Sequence, residues 1–373
     1  MIGAPVKITD VTLTLFTWDG LPQVSYGPNI KLDGDSTLGL VSILTDQGIT
    51  GHAFLGGANR GADLEAKPLI DSLKPLLVGE NPLDRERLYH RMFGRGRHNF
   101  IRSVGALDVA LWDLAGKIAG MPIHQLLGSY RNTIPAYASS QSLPSAEAYC
   151  EQALHYKSLG WQAYKIHPPH PWKEDIKVCE AVRKAVGDGY PLMLDATWSY
   201  DVPSAVRVGR ALEELDFYWL EDPLTEWNIH GYQQLKKQLH IPLMATELPF
   251  AGLETYAPWI MGQATDFLRG DVAFKGGLTT CLKTAHLAEA FGMNYEIHHG
   301  SNSLANVANL HLSMAIRNCE YFEVLLPDEA NKFGLVQEIE VDSKGLVHAP
   351  TGPGLGMEID FERIRRNTQI VLR

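Results

Sequence analysis

Cysteine is scarce. The chain of 373 residues holds four, at Cys150, Cys179, Cys281 and Cys319. They are too scattered for a disulfide framework or a thiolate metal site, and suit reduced thiols in a cytoplasm. Long apolar runs are absent, which excludes a membrane-spanning helix. The amino-terminal residues lack a basic stretch followed by an apolar one, so no secretory signal is expected. Positive charge is in deficit, 33 Lys and Arg against 43 Asp and Glu, for a net charge of −10. That balance argues against nucleic acid or an anionic membrane as partner. It leaves open a small anionic substrate, because a metal and a few lysines can make one positive pocket.

What the chain does have is a repeated strand ending. Leu192-Met193-Leu194-Asp195 is a short apolar run that stops on a carboxylate. Phe217 to Glu221 and Pro242 to Glu247 repeat the form, each acid 26 residues after the last. Short apolar runs with polar borders read as buried strands. A strand, a helix and two loops take about that length in an eight-unit barrel of ~250 residues. In such a barrel all strand C-termini open on one face, where the active site forms. Any one of these acids alone would read as a helix N-cap. Three in phase predict convergence, and three carboxylates together require a cation. All-oxygen ligation suits Mg²⁺ or Mn²⁺.

The rest of the chain fits around this period. Residues 1 to about 55 read as antiparallel strands, with alternation over Val6–Phe16 and a hairpin turning at Asp46-Gln47-Gly48. Trp18 to Asp35 reads as a long loop, in which Trp18 and Tyr26 can cover a ligand. Residues 63–128 read as helices, the clearest from Arg102 to Ala119, ended by Met121-Pro122. Gly94 to Asn99 reads as a basic loop. From Thr133 short apolar runs alternate with amphipathic segments, the pattern of successive βα units. Further strand ends fall at Ser139, Lys165-Ile166-His167, Asp271, His298-His299 and Glu323, at steps of 24 to 30 residues. The expected organisation is an α+β capping domain at 1–128 and a β/α barrel at 129–327. A segment at 328–373 is expected to return to the cap, with a strand at Val336–Val341 and a turn at Asp342–Gly345.

On one rim these residues equip a site for removing a proton next to a carboxylate. Asp195, Glu221 and Glu247 hold the cation. Lys165 and His167, two apart on a strand, point to the same side. Asp271 and His298 stand across the rim, the Asp fixing the tautomer of the His. A lysine near a divalent cation has its pKa lowered and can act as base. Glu323 sits among apolar neighbours, which is expected to raise its pKa and keep it protonated as a donor. Tyr26, Ser139, Trp198 and His299 are candidate substrate contacts. Read singly, His298 and His299 are equally buried structural histidines, and Lys165 a salt-bridge partner of the acids.

The sequence resembles the enolase superfamily, and within it the mandelate racemase group. The stretch Ala106 to Lys117 with Leu126-Leu127-Gly128 is similar to the helix joining cap to barrel. Trp219-Leu220-Glu221-Asp222-Pro223 is similar to the second metal-ligand motif, and Thr351 to Gly356 to the returning segment. The resemblance implies a modified (β/α)7β barrel with a cap completed by the C-terminal segment. It places the Lys-x-Lys motif on Lys165-Ile166-His167, the His–Asp dyad on His298 and Asp271, and the electrophilic Glu on Glu323. The muconate-lactonizing group carries a lysine where this chain has Asp271, five places before Gly276-Gly277. His167 departs from the motif's second lysine and is either a base or a contact to a substrate hydroxyl. The implied chemistry is Mg²⁺-dependent dehydration of a sugar acid by a homo-oligomer. Racemisation or epimerisation, lactone cycloisomerisation and a non-catalytic metal-binding barrel are the alternatives.

Overall fold

The computed structural model describes residues 6–28, 30–96, 100–248 and 252–373. The chain begins with a four-stranded antiparallel sheet of β1 (Ile8–Tyr26), β2 (Ile30–Thr45), β3 (Thr50–Leu55) and, from the far end of the chain, β13 (Thr368–Leu372), in the order β13-β1-β2-β3. Helices α1 (Asp63–Pro68), α2 (Arg85–Gly96), α3 (Ile101–Ala119) and α4 (Ile123–Leu127) complete this cap. Helix α3 buries its apolar stripe, including Val104, Leu107, Leu111 and Leu114, and ends on Gly120 in the left-handed conformation. Glycine is suited there because it lacks the Cβ that would strain a positive φ.

The barrel follows. Its strands are β4 (Thr133–Ser139), β5 (Ala163–Ile166), β6 (Leu192–Asp195), β7 (Trp219–Glu221), β8 (Leu243–Ala245), β9 (Phe267–Gly270), β10 (Asn294–Ile297) and β11 (Phe322–Leu325). They pair in parallel in the order β10-β9-β8-β7-β6-β5-β4-β11. The two ends of this path meet where Tyr295 N–H donates to the Asn318 carbonyl, just ahead of β11. The connecting helices are α5 (Ala146–Ser158), α6 (Trp172–Val186), α7 (Val202–Glu214), α8 (Ile229–Lys236), α9 (Ala257–Met261), α10 (Val272–Lys275), α11 (Leu278–Ala290) and α12 (Ser303–Ala315). Strands buried on both faces read as unbroken apolar runs, which is why these were visible in the sequence. Tyr137, Ala163, Met193, Trp219 and Met244 pack together inside the barrel, beneath the rim. After the barrel come β12 (Leu346–His348), antiparallel to β4, and α13 (Phe361–Arg366). No helix among the described residues is long and apolar enough to cross a membrane, and all four cysteines are free.

Three local expectations fail. Trp18 to Asp35 is mostly strand, the outer part of a long β1–β2 hairpin whose register shifts between Trp18 and Leu21 and again between Leu21 and Val24. Each bulge adds a residue and resets the two-residue alternation, so no pattern survives to be read. Asn29 lies outside the described residues. Gly94-Arg95-Gly96 belongs to α2 rather than to a loop, and Arg97–Asn99 lie outside the described residues. Val336–Val341 is irregular, with Val336 exposed. The first strand of this segment is β12, immediately after the expected turn at Asp342–Gly345.

The returning segment is tied to the barrel through a buried histidine. His311 on α12 accepts a hydrogen bond at Nδ1 from the backbone N–H of His124 on α4 (3.1 Å) and donates from Nε2 to the Leu355 carbonyl (3.0 Å). This geometry holds the neutral ring, and burial pushes its pKa down to about 3. A folded-state value below the unfolded one means stability present above pH 6.5 and lost as pH falls toward 3. The loss per pH unit is about 1.4 kcal/mol for one such group. Denaturant unfolding at pH 7.5 and pH 5.5 should show the wild type losing stability with a steeper slope than His311→Gln. Equal slopes would show that His311 takes up no proton on unfolding.

Candidate active site at the barrel mouth

The three strand-end acids converge. Asp195 closes β6, Glu221 closes β7, and the two stand opposite each other in register. Glu247 lies two residues beyond β8, after Thr246 with its φ of 86°. One ligand oxygen from each lies within 4.8 Å of the others. Glu221 is fully buried, and Lys165 Nζ (2.8 Å), Arg269 Nε (2.5 Å) and the Trp219 indole N–H (3.2 Å) surround it. Asp195 accepts from the Thr197 backbone N–H (3.0 Å) and lies 3.0 Å from His167 Nε2. Glu247 is flanked by His298 Nε2 and Arg269 Nε, at 3.5 and 3.4 Å.

The electrostatics of this set suit a divalent cation. Asp195, Glu221, Glu247 and Glu323 carry four negative charges, and Lys165 and Arg269, threaded among them, return two positive ones. The remaining pair of charges matches one divalent ion, and carboxylate oxygens are the donors that Mg²⁺ favours. Beside the triad, Asp222 is pushed well above the ordinary carboxylate range by burial and by neighbouring Glu226, and Glu226 is raised to about 8 by burial.

Around the triad, Lys165 reaches Glu323 (2.7 Å) as well as Glu221, and lies 3.5 Å from Asp195. His298 Nδ1 bonds Asp271 Oδ2 at 2.7 Å. Burial pulls the His298 pKa down, but Glu247 and Asp271 outweigh it and raise it to about 9. His167 donates from Nδ1 to the Ser140 carbonyl (2.6 Å) and meets the Tyr26 ring edge-on. Tyr26, at the tip of β1, bonds the Leu326 carbonyl (2.7 Å), so the cap hairpin is latched to the end of β11. Trp198 donates its indole N–H to Asp222 (3.1 Å). Tyr26, Lys165, His167, Asp195, Trp198, Glu247, His298 and Glu323 all line one cavity, to which Ile30, Leu32 and Asn59 of the cap also contribute.

Several expectations need correction. Ser139 is buried in the barrel and does not line this cavity; it pairs in register with Lys165, whose longer side chain does. His299 does not line it either. Neighbouring residues of an extended chain point to opposite sides, and the His299 ring packs on Phe322, centroids 4.0 Å apart. Its contribution is a backbone N–H donated to Glu323 (3.1 Å). The surroundings of Glu323 are charged rather than apolar. Burial raises its pKa, but Arg269 and Lys165 outweigh burial and hold it well below the usual range. Burial likewise pulls Lys165 down, as does Arg269, yet Glu221 and Glu323 hold it well above the ordinary lysine value.

Two arginines went unread. Arg269, in the middle of β9, is fully buried, hydrogen-bonds Glu323 and forms an ion pair with Glu221. A charged residue inside an otherwise apolar strand, two places before Asp271, was the available signal. Arg102 of α3 also lines the cavity; nothing in its sequence setting marked it.

Comparison with known proteins agrees with this geometry. Residues 30–128 match the model of the mandelate racemase / muconate lactonizing enzyme N-terminal domain, and residues 148–364 the enolase C-terminal domain-like model. D-xylonate dehydratase of Haloferax volcanii is 30% identical over 371 residues, covering 89% of this chain and 86% of that protein. The structure of D-glucarate dehydratase from Agrobacterium tumefaciens, complexed with magnesium, aligns with a TM-score of 0.86 at 33% identity, over 98% of this chain and 99% of that one. A Pseudovibrio protein described as a mandelate racemase/muconate lactonizing enzyme aligns with a TM-score of 0.90 at 27% identity, over 99% of both chains. With cap and barrel matched in sequence as well as in shape, the chain belongs to the mandelate racemase/muconate lactonizing enzyme group of the enolase superfamily.

Proposed function

We propose that the protein is a Mg²⁺-dependent sugar-acid dehydratase that turns an aldonate or aldarate into a 2-keto-3-deoxy acid. The observation that carries this reading is the flanking of one carboxylate triad by two proton-transfer groups. Lys165 lies against Asp195 and Glu221, and His298 against Glu247. Both line the same cavity. The named relatives that act on sugar acids by loss of water support it.

Asp195, Glu221 and Glu247 would hold the ion. Mg²⁺ bound there would supply positive charge that offsets the charge developing on the substrate carboxylate and would lower the proton affinity of Lys165. Lys165 then takes the α-proton, and the electron pair left behind moves toward the carboxylate. His298, held cationic by Glu247 and Asp271, gives its proton to the β-hydroxyl, which leaves as water. The resulting enol becomes the keto acid on taking a proton at the β-carbon and losing one from its 2-hydroxyl. Arg269 holds Glu323 in place beside Lys165. His167, fixed by Ser140 and Tyr26, is placed to contact a substrate hydroxyl. The cap hairpin excludes water from the charged layer.

Incubation with Mg²⁺ and a panel of sugar acids should yield 2-keto-3-deoxy products. Chelation by EDTA should abolish them, and added Mg²⁺ should restore them. The same panel in D₂O separates the alternative. Substrate that gains α-deuterium without giving a keto product would replace dehydration by epimerisation.

A further inference from the structure

Arg102 presents a cation to the cavity that the reaction above leaves unused. It is the second residue of α3, and its guanidinium lies over the Phe274 ring, 4.4 Å from the centroid. Phe274 in turn lies beside His298, ring centroids 5.4 Å apart. His298, Phe274 and Arg102 thus follow one another along one wall, from the triad toward the cap. The acids near Arg102 are engaged elsewhere. Glu65 meets Arg60 at 3.4 Å and accepts from the backbone N–H and hydroxyl of Ser103, at 2.9 and 3.2 Å. Asp271 is bonded to His298. Among the described residues no carboxylate pairs with Arg102. Burial lowers its pKa to about 10, so the group still carries its charge at neutral pH. A half-buried charge without a direct ion-pair partner is costly, and the cost is relieved when an anion arrives.

We propose that Arg102 binds the distal carboxylate of the substrate, so that the sugar acid is a diacid, an aldarate, rather than an aldonate. This inference rests on the dehydratase reading and sharpens it. The proximal carboxylate belongs at the triad, and the distal one reaches the cap. The Phe274 ring supports the guanidinium, and with no carboxylate paired to it among the described residues its N–H groups suit a bidentate contact, which a carboxylate matches and a terminal hydroxyl does not.

The test uses the full chain loaded with Mg²⁺. Pentaric and hexaric acids are compared with aldonic acids of the same length and configuration, by formation of keto product. The best diacid should exceed its matched monoacid in kcat/KM by about 100-fold, and Arg102→Gln should raise KM for the diacid about 30- to 100-fold. In that variant kcat should change by less than about threefold, because the contact is made equally before and during the reaction. Arg102→Lys should recover part of the loss. Calorimetry in a Lys165→Ala background reads diacid binding without turnover; adding Arg102→Gln should weaken it by the same factor and leave monoacid binding unchanged. Monoacids turned over as well as their matched diacids would overturn the diacid assignment and leave the dehydratase reading standing. If neither class gives a keto product, the dehydratase reading fails and this inference falls with it.

Discussion

Lys165→Ala is expected to lower sugar-acid turnover by about a thousandfold or more, near the upper end of what a positioned general base contributes. The residue is 1% exposed and lies within 2.8 Å of both Glu221 and Glu323, so its ammonium is held inside the acidic layer. α-Deuteration in D₂O should fall in parallel, because exchange and dehydration share the first proton transfer. Mg²⁺ affinity should change little, since Asp195, Glu221 and Glu247 remain. Stability in EDTA should fall, because deleting one cation from a buried acidic layer leaves its carboxylates facing one another, and Mg²⁺ should return most of the loss. Turnover within tenfold of the wild type would remove Lys165 from the mechanism. Glu221→Gln serves as the complementary control, weakening the metal while leaving the lysine in place.

The second large effect is expected at Arg269. Its guanidinium is fully buried, bonds Glu323, approaches Glu221 Oε1 at 2.5 Å and lies 3.4 Å from Glu247. Arg269→Met keeps the volume and removes the charge. Breaking such a buried network on one side typically costs about 3–5 kcal/mol, because the acids are left uncompensated. Arg269→Lys should recover only part, since an ammonium cannot reach the acids of β7 and β11 with the fixed fork of a guanidinium. Denaturant unfolding in EDTA measures both variants. A loss below about 1 kcal/mol for the methionine variant would mean that the charged layer is held together by something other than this residue.

What could be read from the sequence follows from which physical signals are local. The barrel was legible because buried parallel strands announce themselves as short apolar runs, and the triad because each ligand ends such a run at one period. Lys165, His298 and Asp271 could be placed by the same phase. Orientation at the strand ends was less accessible: one residue separates His298, which faces the cavity, from His299, which faces Phe322. Protonation was least accessible of all. The apolar neighbours of Glu323 in sequence suggested a raised pKa, whereas its neighbours in space are Arg269 and Lys165, 54 and 158 positions away. The long β1–β2 hairpin escaped because its bulges erase alternation, and Arg102 because a cation near a helix start carries no signal until a cavity appears beside it.

The pairing of β13 with β1 carries a kinetic consequence. Gln369 meets Thr17 across 352 positions, and β1 is the strand whose tip delivers Tyr26 to the barrel mouth. Contacts that distant in sequence are entropically slow to form. The latch over the catalytic layer should therefore mature late in refolding, and recovery of activity should lag behind recovery of the barrel's helical signal.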